Sequence, residues 1–335
     1  MEKSIKSWND VEKLSNKNGF IPLEVYSENK KKFTIFKSRN PEQAKDEASV
    51  WNTYLSTKRT GYKNHNMYSE MYRFGWYEGK KRSGFWGNIE AAIGDLQLSN
   101  SPNITIFSAG SGRDLLKVGL AAGVWTSIAP KKIKGTCKEI SGKYFRLEKP
   151  CARIIVTEFD ENNYCELKKT IDDLKSKKLL TDEMISLCQW DFRERSPVAE
   201  ATQDIVVFSL TGNYATIDEQ PYILKEIAKS IKLGGHLIAS TMASHYSFSA
   251  NSKPLNIAKF ILSTKLELSI ARDFLRWGLK WSKMACKMYE KGYWANASAE
   301  IWSDFIAPSG MNKIKIYEGP SKLVPVEVLV AEKIL

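Results

Sequence analysis

Four β-prone residues, Ile104-Thr105-Ile106-Phe107, run straight into Ser108-Ala109-Gly110-Ser111-Gly112 and then into the helix-forming stretch Arg113-Asp114-Leu115-Leu116. No other part of the chain constrains the fold so strongly. An apolar strand that ends in a small-residue turn and restarts at once as a helix is a unit of an open α/β sheet. Such turns bind nucleotides because the glycines let the backbone bend and approach closely, while the helix N-terminus presents unpaired N–H groups. The turn does not complete the dinucleotide pattern G-x-G-x-x-G, since Leu115 stands where the third glycine belongs.

A chain of 335 residues, 43% of them hydrophobic, has the length and apolar content for one enlarged domain or two, so disorder is not expected. Fifty Lys and Arg against 38 Asp and Glu give a formal charge of +12, which permits an anionic partner such as RNA. The lysines are scattered rather than gathered into one arginine-rich stripe, so a solvated surface accounts for them and nucleic acid is not favoured. Cys137, Cys151, Cys165, Cys188 and Cys286 form no C-x-x-C pair and are odd in number, which points away from a zinc site or a disulfide framework. Met1-Glu2-Lys3-Ser4 lacks a signal-peptide layout, and no apolar run approaches the roughly 18 residues of a spanning helix. A cytoplasmic protein with no membrane partner is expected.

Residues 1–100 read as an N-terminal cap or lid. Leu23–Tyr26 and Phe33–Phe36 flank a polar turn and predict a hairpin. Pro41 opens a helix reaching about Ser56, an aromatic-dense segment follows from Tyr62 to Trp86, and a helix from Trp86 to Leu98 leads into the first core strand. Within the aromatic segment, Tyr72 and Trp76 are candidates for a lid over a bound substrate. Beyond the first core helix, Arg113–Ala122, something is inserted at 124–152, where Lys132–Ile140 and Lys143–Leu147 predict an extra hairpin.

Four more core segments follow. Arg153–Asp160 is a continuous apolar strand ending in Glu158-Phe159-Asp160; an acid there can accept both hydroxyls of a ribose, and Asp160 suits the N-cap of a helix over Glu161–Lys175. Ile185–Trp190 is a third strand, followed by Asp191 and Phe192. Asp204–Leu210 is the fourth, leading to Thr211-Gly212-Asn213-Tyr214 and a helix from Glu219 to Ile231. Leu233-Gly234-Gly235-His236-Leu237 then opens the fifth strand. Residues 246–310 read as a helical insert, with Ile270, Phe274, Trp277, Trp281, Met284 and Met288 on one helical face. Lys313–Tyr317 and Val324–Ala331 predict strands six and seven.

In this order the glycine turn, the two strand-end acids and the terminal Gly-Gly strand resemble the class I S-adenosylmethionine-dependent methyltransferases over residues 104–241. The first motif of that superfamily is roughly acid-x-G-x-G-x-G; here Ser108 replaces the acid and Asp114 the last glycine, and Leu233 replaces the proline of L-K-P-G-G-x-L. The resemblance implies a seven-stranded, mostly parallel, doubly wound α/β sheet whose last strand inserts antiparallel between strands five and six. The core would comprise 101–245 and 311–335. It also implies that Ser108, Ala109, Gly110, Ser111 and Gly112 meet the methionine portion of S-adenosylmethionine, Glu158 and Phe159 the ribose side, Asp191 and Phe192 the adenine, and Leu210 the edge after strand four.

Asn213, Tyr214 and His245 are the candidates for the acceptor site, with His245 able to act as a base near neutral pH. Asn213 lacks the two prolines of the (Asn/Asp)-Pro-Pro-(Tyr/Phe) motif of nucleic-acid amine methylases, and Met242–Ser247 holds no acid for a Mg²⁺ site, so no metal is expected. A small-molecule acceptor is the first expectation. A methyltransferase of RNA or protein and a non-catalytic binding protein of the same fold remain open.

Overall fold

The computed structural model describes residues 20–28, 31–38, 85–127, 145–242, 289, 294–319 and 326–335. β1 (Phe20–Glu28) and β2 (Lys31–Ser38) pair antiparallel as the predicted hairpin. Then follow α1 (Phe85–Gly94), β3 (Asn103–Phe107), α2 (Arg113–Ala121), β4 (Trp125–Ser127) and β5 (Phe145–Leu147). The core continues with β6 (Arg153–Glu158), α3 (Glu161–Ser176), β7 (Ile185–Gln189), β8 (Gln203–Ser209), α4 (Gln220–Lys229) and β9 (Ile231–Met242). It closes with α5 (Ala299–Ile306), β10 (Met311–Gly319) and β11 (Val326–Lys333).

Seven strands form one sheet in the order β10-β11-β9-β8-β3-β6-β7. β3 pairs parallel with β6 and β8, and the parallel run extends through β7 and β9. β11 alone runs antiparallel, wedged between β9 and β10. This is the predicted seven-stranded α/β sheet, including the inserted last strand. Parallel strands covered on both faces are apolar through their middle, as β8 is: Ile205 and Val207 face one core and Val206 and Phe208 the other, all four fully buried. Ile89 and Ile93 of α1, Leu115 and Val118 of α2 and Leu167 and Ile171 of α3 pack in the first core. Ile223 and Ile227 of α4 and Ile301 and Trp302 of α5 fill the second.

Local chemistry sets the element ends. Asp160 caps α3, its Oδ1 accepting the Asn163 N–H at 2.9 Å, as predicted. Thr216 and Glu219 form a reciprocal capping box ahead of α4: the Thr216 N–H donates to Glu219 Oε2 at 2.9 Å, and the Glu219 N–H to Thr216 Oγ1 at 3.3 Å. The Gly-Gly segment lies inside β9 rather than before it, as a kink where the register against β8 jumps between Gln203 and Ile205. A Cβ on Gly235 would sit 2.7 Å from the Gln203 carbonyl oxygen, so only glycine lets β9 stay paired there. Leu233, at the proline position of the resemblance, is 71% exposed, which explains why the exchange is tolerated.

Two expectations change. The insertion does contain a hairpin, but its first strand is Trp125–Ser127, paired with Phe145–Leu147; the expected strand at 132–140 lies outside the described residues. Trp125 is buried because its ring packs where a Cβ on Gly119 would be and its indole N–H donates to the Leu179 carbonyl at 2.8 Å. The second change concerns Ala299–Ile306, which falls in the span expected to be a helical insert yet packs on the sheet through Ile301, Trp302 and Ile306. The predicted helices at 41–56 and 266–290 and the aromatic segment up to Gly84 lie outside the described residues, apart from Tyr289.

Trp302 joins α5 to the sheet. It stacks on Phe208 with ring centroids 6.0 Å apart and donates to Gln220 Oε1 at 2.8 Å. Trp302→Ala is expected to destabilise the protein by about 3–5 kcal/mol. Urea unfolding measures this, and a loss below about 1 kcal/mol would show that α5 does not belong to the core.

Candidate functional site

The glycine turn after β3 is held by the end of β6. Ser108 N–H donates to Thr157 Oγ1 at 3.2 Å and Ala109 N–H to the Thr157 carbonyl at 2.8 Å, so β3 and β6 stay joined beyond the last sheet residue. Gly110 N–H then donates to Glu158 Oε2 at 2.7 Å, while Glu158 Oε1 takes the Asp160 N–H at 3.0 Å. The glycine turn and the E-x-D end of β6, found separately in the sequence, are therefore in direct contact. Gly110 has φ +58°, and a Cβ placed on it would meet nothing within 4 Å among the described residues, which leave the turn open on that side. Behind the turn, Thr170 of α3 donates to the Ser111 carbonyl at 3.1 Å.

Glu158 is only 6% exposed, and burial pushes its carboxyl up to about 7 despite lowering by the N–H groups of Asp160, Gly110 and Phe159. Asp114, in the first turn of α2, is also buried, and its carboxyl is held well above the usual range by burial and then by the charge of Glu158. Its side chain is hydrogen-bonded to Ser209 at the end of β8. The contact joins the turn after β3 to β8, at the place where the strand order reverses along the sheet. At that topological switch point open α/β sheets form their ligand crevice. Ser108 and Leu210, the residues directly after β3 and β8, both have positive φ, +56° and +50°, a strained conformation for any residue but glycine.

Asp191 follows β7. Its Oδ1 accepts from the Arg193 backbone N–H at 3.0 Å and from Arg193 Nε at 2.9 Å, and its Oδ2 from Nη2 at 2.5 Å. The guanidinium lies 5.8 Å from the ring centroids of both Phe159 and Phe192. Trp190 N–H donates to the Glu158 carbonyl at 3.2 Å, and the Trp190 ring packs on Phe107 at 4.8 Å, which ties the Asp191 turn to the rest of the edge. Arg193 and Ser209 were not singled out in the sequence. Nothing in the pattern marks an arginine two residues past a strand-end acid, because the pairing depends on how that turn closes.

After β8 the chain makes a short 3-10 turn, Gly212–Tyr214. Asn213 is fully buried; its Nδ2 donates to Asn296 Oδ1 at 2.7 Å and to Thr241 Oγ1 at 3.4 Å. Tyr214 is half-buried and meets Trp294 edge-on at 4.8 Å, and Tyr289 meets the same indole at 5.8 Å. His245, Tyr72 and Trp76 lie outside the described residues. Among the described residues no group of three or more His, Cys, Asp or Glu is arranged to hold a metal ion, and no helix is long and apolar enough to cross a membrane.

In core-strand numbering the sheet order reads six-seven-five-four-one-two-three, with strand seven antiparallel and the glycine turn after strand one. The chain has the class I methyltransferase fold. No protein-family model matches the sequence, and no curated protein matches it. Among solved structures, a SAM-dependent methyltransferase from Aquifex aeolicus is 9% identical, the alignment covering 81% of this chain and 100% of that one at a TM-score of 0.45. A SAM-dependent methyltransferase from Methanosarcina mazei is 12% identical over 71% of this chain and 95% of that one, with a TM-score of 0.41. A geranyl diphosphate methyltransferase, solved with GPP and sinefungin, is 8% identical over 73% and 77%, with a TM-score of 0.43.

Within this methyltransferase fold the Glu158 carboxyl has a signature in stability. Its folded pKa of about 7 lies above the ordinary 4.5, so its protonated form favours the fold fully below about pH 4.5, and that contribution is lost as pH rises to about 7. The loss is on the order of 3 kcal/mol. Glu158→Gln should therefore gain stability relative to wild type between pH 5 and pH 7.5 in urea titrations. Parallel pH profiles for the two proteins would contradict the burial of this acid.

Proposed function

We propose that this protein is an S-adenosylmethionine-dependent methyltransferase acting on a small-molecule acceptor. The observation that carries the reading is the meeting of four strand ends at one sheet edge: the 108–112 turn is bonded to Glu158, Glu158 to the Trp190–Asp191 turn, and Asp114 to Ser209. Each turn supplies one kind of group that an adenosyl compound needs, and the open side of Gly110 leaves room for it.

In this reading the backbone of Ser108 to Gly112 lies along the methionine portion, where close approach needs the absence of a Cβ at Gly110. Glu158 receives a ribose hydroxyl beside Phe159. Its carboxylate already holds the N–H groups of Gly110, Asp160 and Phe159, so of about four acceptor positions one is left for the ligand. Asp191 and Phe192 take the base, and Leu210 lies against the ligand from the end of β8. S-adenosylmethionine supplies a methyl group on a sulfonium, a strong electrophile. The chain's part is to bind, align the acceptor and exclude water, and a base is needed only for a hydroxyl or carbon acid.

A small-molecule acceptor is supported by the half-buried Tyr214 just past β8, whose ring is backed by the buried Trp294. Tyr72 and Trp76 of the N-terminal region would close over the acceptor, and His245, three residues past β9, would act as the base. Asn213 would act by fixing the 3-10 turn that carries Tyr214.

Calorimetry with S-adenosylmethionine and S-adenosylhomocysteine tests the cofactor, and the gain of one methyl mass by a compound in a metabolite extract tests the reaction. Binding without any methylated product would favour a non-catalytic protein of this fold, and no binding would end the reading. Glu158→Ala should weaken S-adenosylhomocysteine binding by about a hundredfold, near 3 kcal/mol, with the fold intact by circular dichroism. Unchanged affinity would remove Glu158 from the ribose.

A further inference from the structure

Residues 295–299 run over the rim from the 3-10 turn after β8, past the end of β9, to the start of β11, and they are fastened almost one by one. The Ala295 N–H donates to the Ala215 carbonyl at 3.0 Å, and the Ala295 carbonyl accepts from Gln220 Nε2 at 2.8 Å. Asn296 is bonded to Asn213 and Ala297 to Thr241, and the Ala299 N–H donates to Glu327 Oε2 at 2.7 Å. Trp294, Ala295, Ala297, Ser298 and Ala299 are all buried, while Asn296 between them keeps part of its surface accessible.

The hydrogen bonds behind Asn296 decide which end of its amide faces out. The Thr241 hydroxyl gives its one proton to a carbonyl, that of Ala297 at 2.8 Å, with that of Met242 next at 3.2 Å. Toward Asn213, 3.4 Å away, Thr241 can therefore only accept, so the Asn213 atom facing it is the amide nitrogen. That same nitrogen lies 2.7 Å from Asn296, and the atom it meets there must be the oxygen. Asn213 is fully buried, and its Oδ1 has no partner among the described residues; turning the amide over would put two unpaired donors there in place of one acceptor, the less tolerated arrangement. The Asn296 NH2 is thus the outward end, and nothing among the described residues bonds to it.

We propose that Asn296 is a specificity-determining residue of the acceptor site, donating from its accessible amide nitrogen to a carbonyl-type oxygen carried by the small molecule to be methylated. The inference rests on the methyltransferase reading above and names the polar handle of its substrate. Asn213 and Asn296 adjoin Tyr214 and Trp294 through the same turn and the same segment, and those two rings meet at 4.8 Å, so the half-buried Tyr214 ring serves the apolar body of the same molecule. Holding an exposed amide in one orientation costs side-chain entropy. Here a fully buried asparagine, with one oxygen unsatisfied, is committed to holding it, and a few fixed polar groups of this kind are what orient ligands in small-molecule sites.

The test uses three fragments of similar size on the full chain saturated with S-adenosylhomocysteine: acetophenone, which carries a carbonyl oxygen, ethylbenzene, which lacks it, and benzylamine, an ammonium at neutral pH. Ligand-observed NMR titrations compare their affinities for wild type and Asn296→Asp, a variant that keeps an oxygen for Asn213 and exchanges only the outward NH2 for a second oxygen. Wild type is expected to bind acetophenone about tenfold more tightly than ethylbenzene, and Asn296→Asp to lose that margin and favour benzylamine over both. If Asn296→Asp does not fold, Asn296→Ala is read instead, with the same loss of the margin expected. Wild type that does not bind acetophenone, or binds it no better than ethylbenzene, would overturn the proposal. So would a variant that keeps the margin, or an equal loss for all three fragments, which is what a merely structural amide would give. Failure of wild type to bind S-adenosylhomocysteine would sink the adenosyl reading and the acceptor role with it, an outcome distinct from any fragment result.

Discussion

A single buried carboxylate holds the ligand edge of this protein together. Glu158 ends β6, and its two oxygens accept the N–H groups of Gly110 and Asp160, so one side chain fixes the bend after β3 and the entry into α3 at once. Burying a carboxylate is unfavourable unless its lone pairs are filled, and here backbone N–H groups fill them. The balance is incomplete, because burial still raises its pKa to about 7. The acid that organises the turn is thus held near its own titration point, and a hydroxyl donor arriving at the remaining position would favour its charged form.

The sheet brings the other turns to the same edge. The chain runs outward from β3 through β6 to β7 and then crosses back to β8 and on to β9, and every parallel strand ends at the same rim. Both faces of the sheet are sealed by helices, α1 to α3 over one core and α4 and α5 over the other. Polar groups therefore collect where the strands stop: Asp114 against Ser209, Glu158 against Gly110, Asp191 against Arg193. The apolar runs that make the strands legible are also what drives these groups to the rim.

That coupling explains what could be read beforehand. β3, β6, β8 and β11 are rich in apolar residues because both of their faces are covered, and such runs are visible without coordinates. The glycine turn, Glu158 and the Asp160 cap follow from their places at the ends of those runs. β4 was hidden, since three residues, Trp125–Ser127, are too few to show alternation, and Trp125 is placed by Gly119 and the Leu179 carbonyl, both remote from any strand pattern. α5 is ambiguous for a related reason: its apolar face is as compatible with a cap as with a core, and only the contacts of Trp302 with Gln220 and Phe208 decide between them. Asn213 has the composition of a site residue but is fully buried beside Asn296, a partner 83 positions away. Arg193 is legible only through the turn that folds it back on Asp191.

Two of the four left-handed non-glycine residues among the described residues lie at the same rim. Ser108 and Leu210 hold left-handed backbone conformations directly after β3 and β8, where glycine would be unstrained and other residues lose roughly 1 kcal/mol or more. Both conformations are held by their neighbours: Ser108 N–H is bonded to Thr157, and Leu210 N–H to the Ser240 carbonyl at 3.0 Å. A chain leaving an extended strand must reverse to reach the next helix, and a left-handed residue does this in a single step. Because β3 and β8 are neighbours, the two reversals open side by side at the switch point, which is the geometry a crevice for an extended nucleoside requires. The cores on either side of the sheet supply the stability that lets two such residues persist at the rim, so the packing of the sheet and the backbone strain beside its crevice are parts of one arrangement.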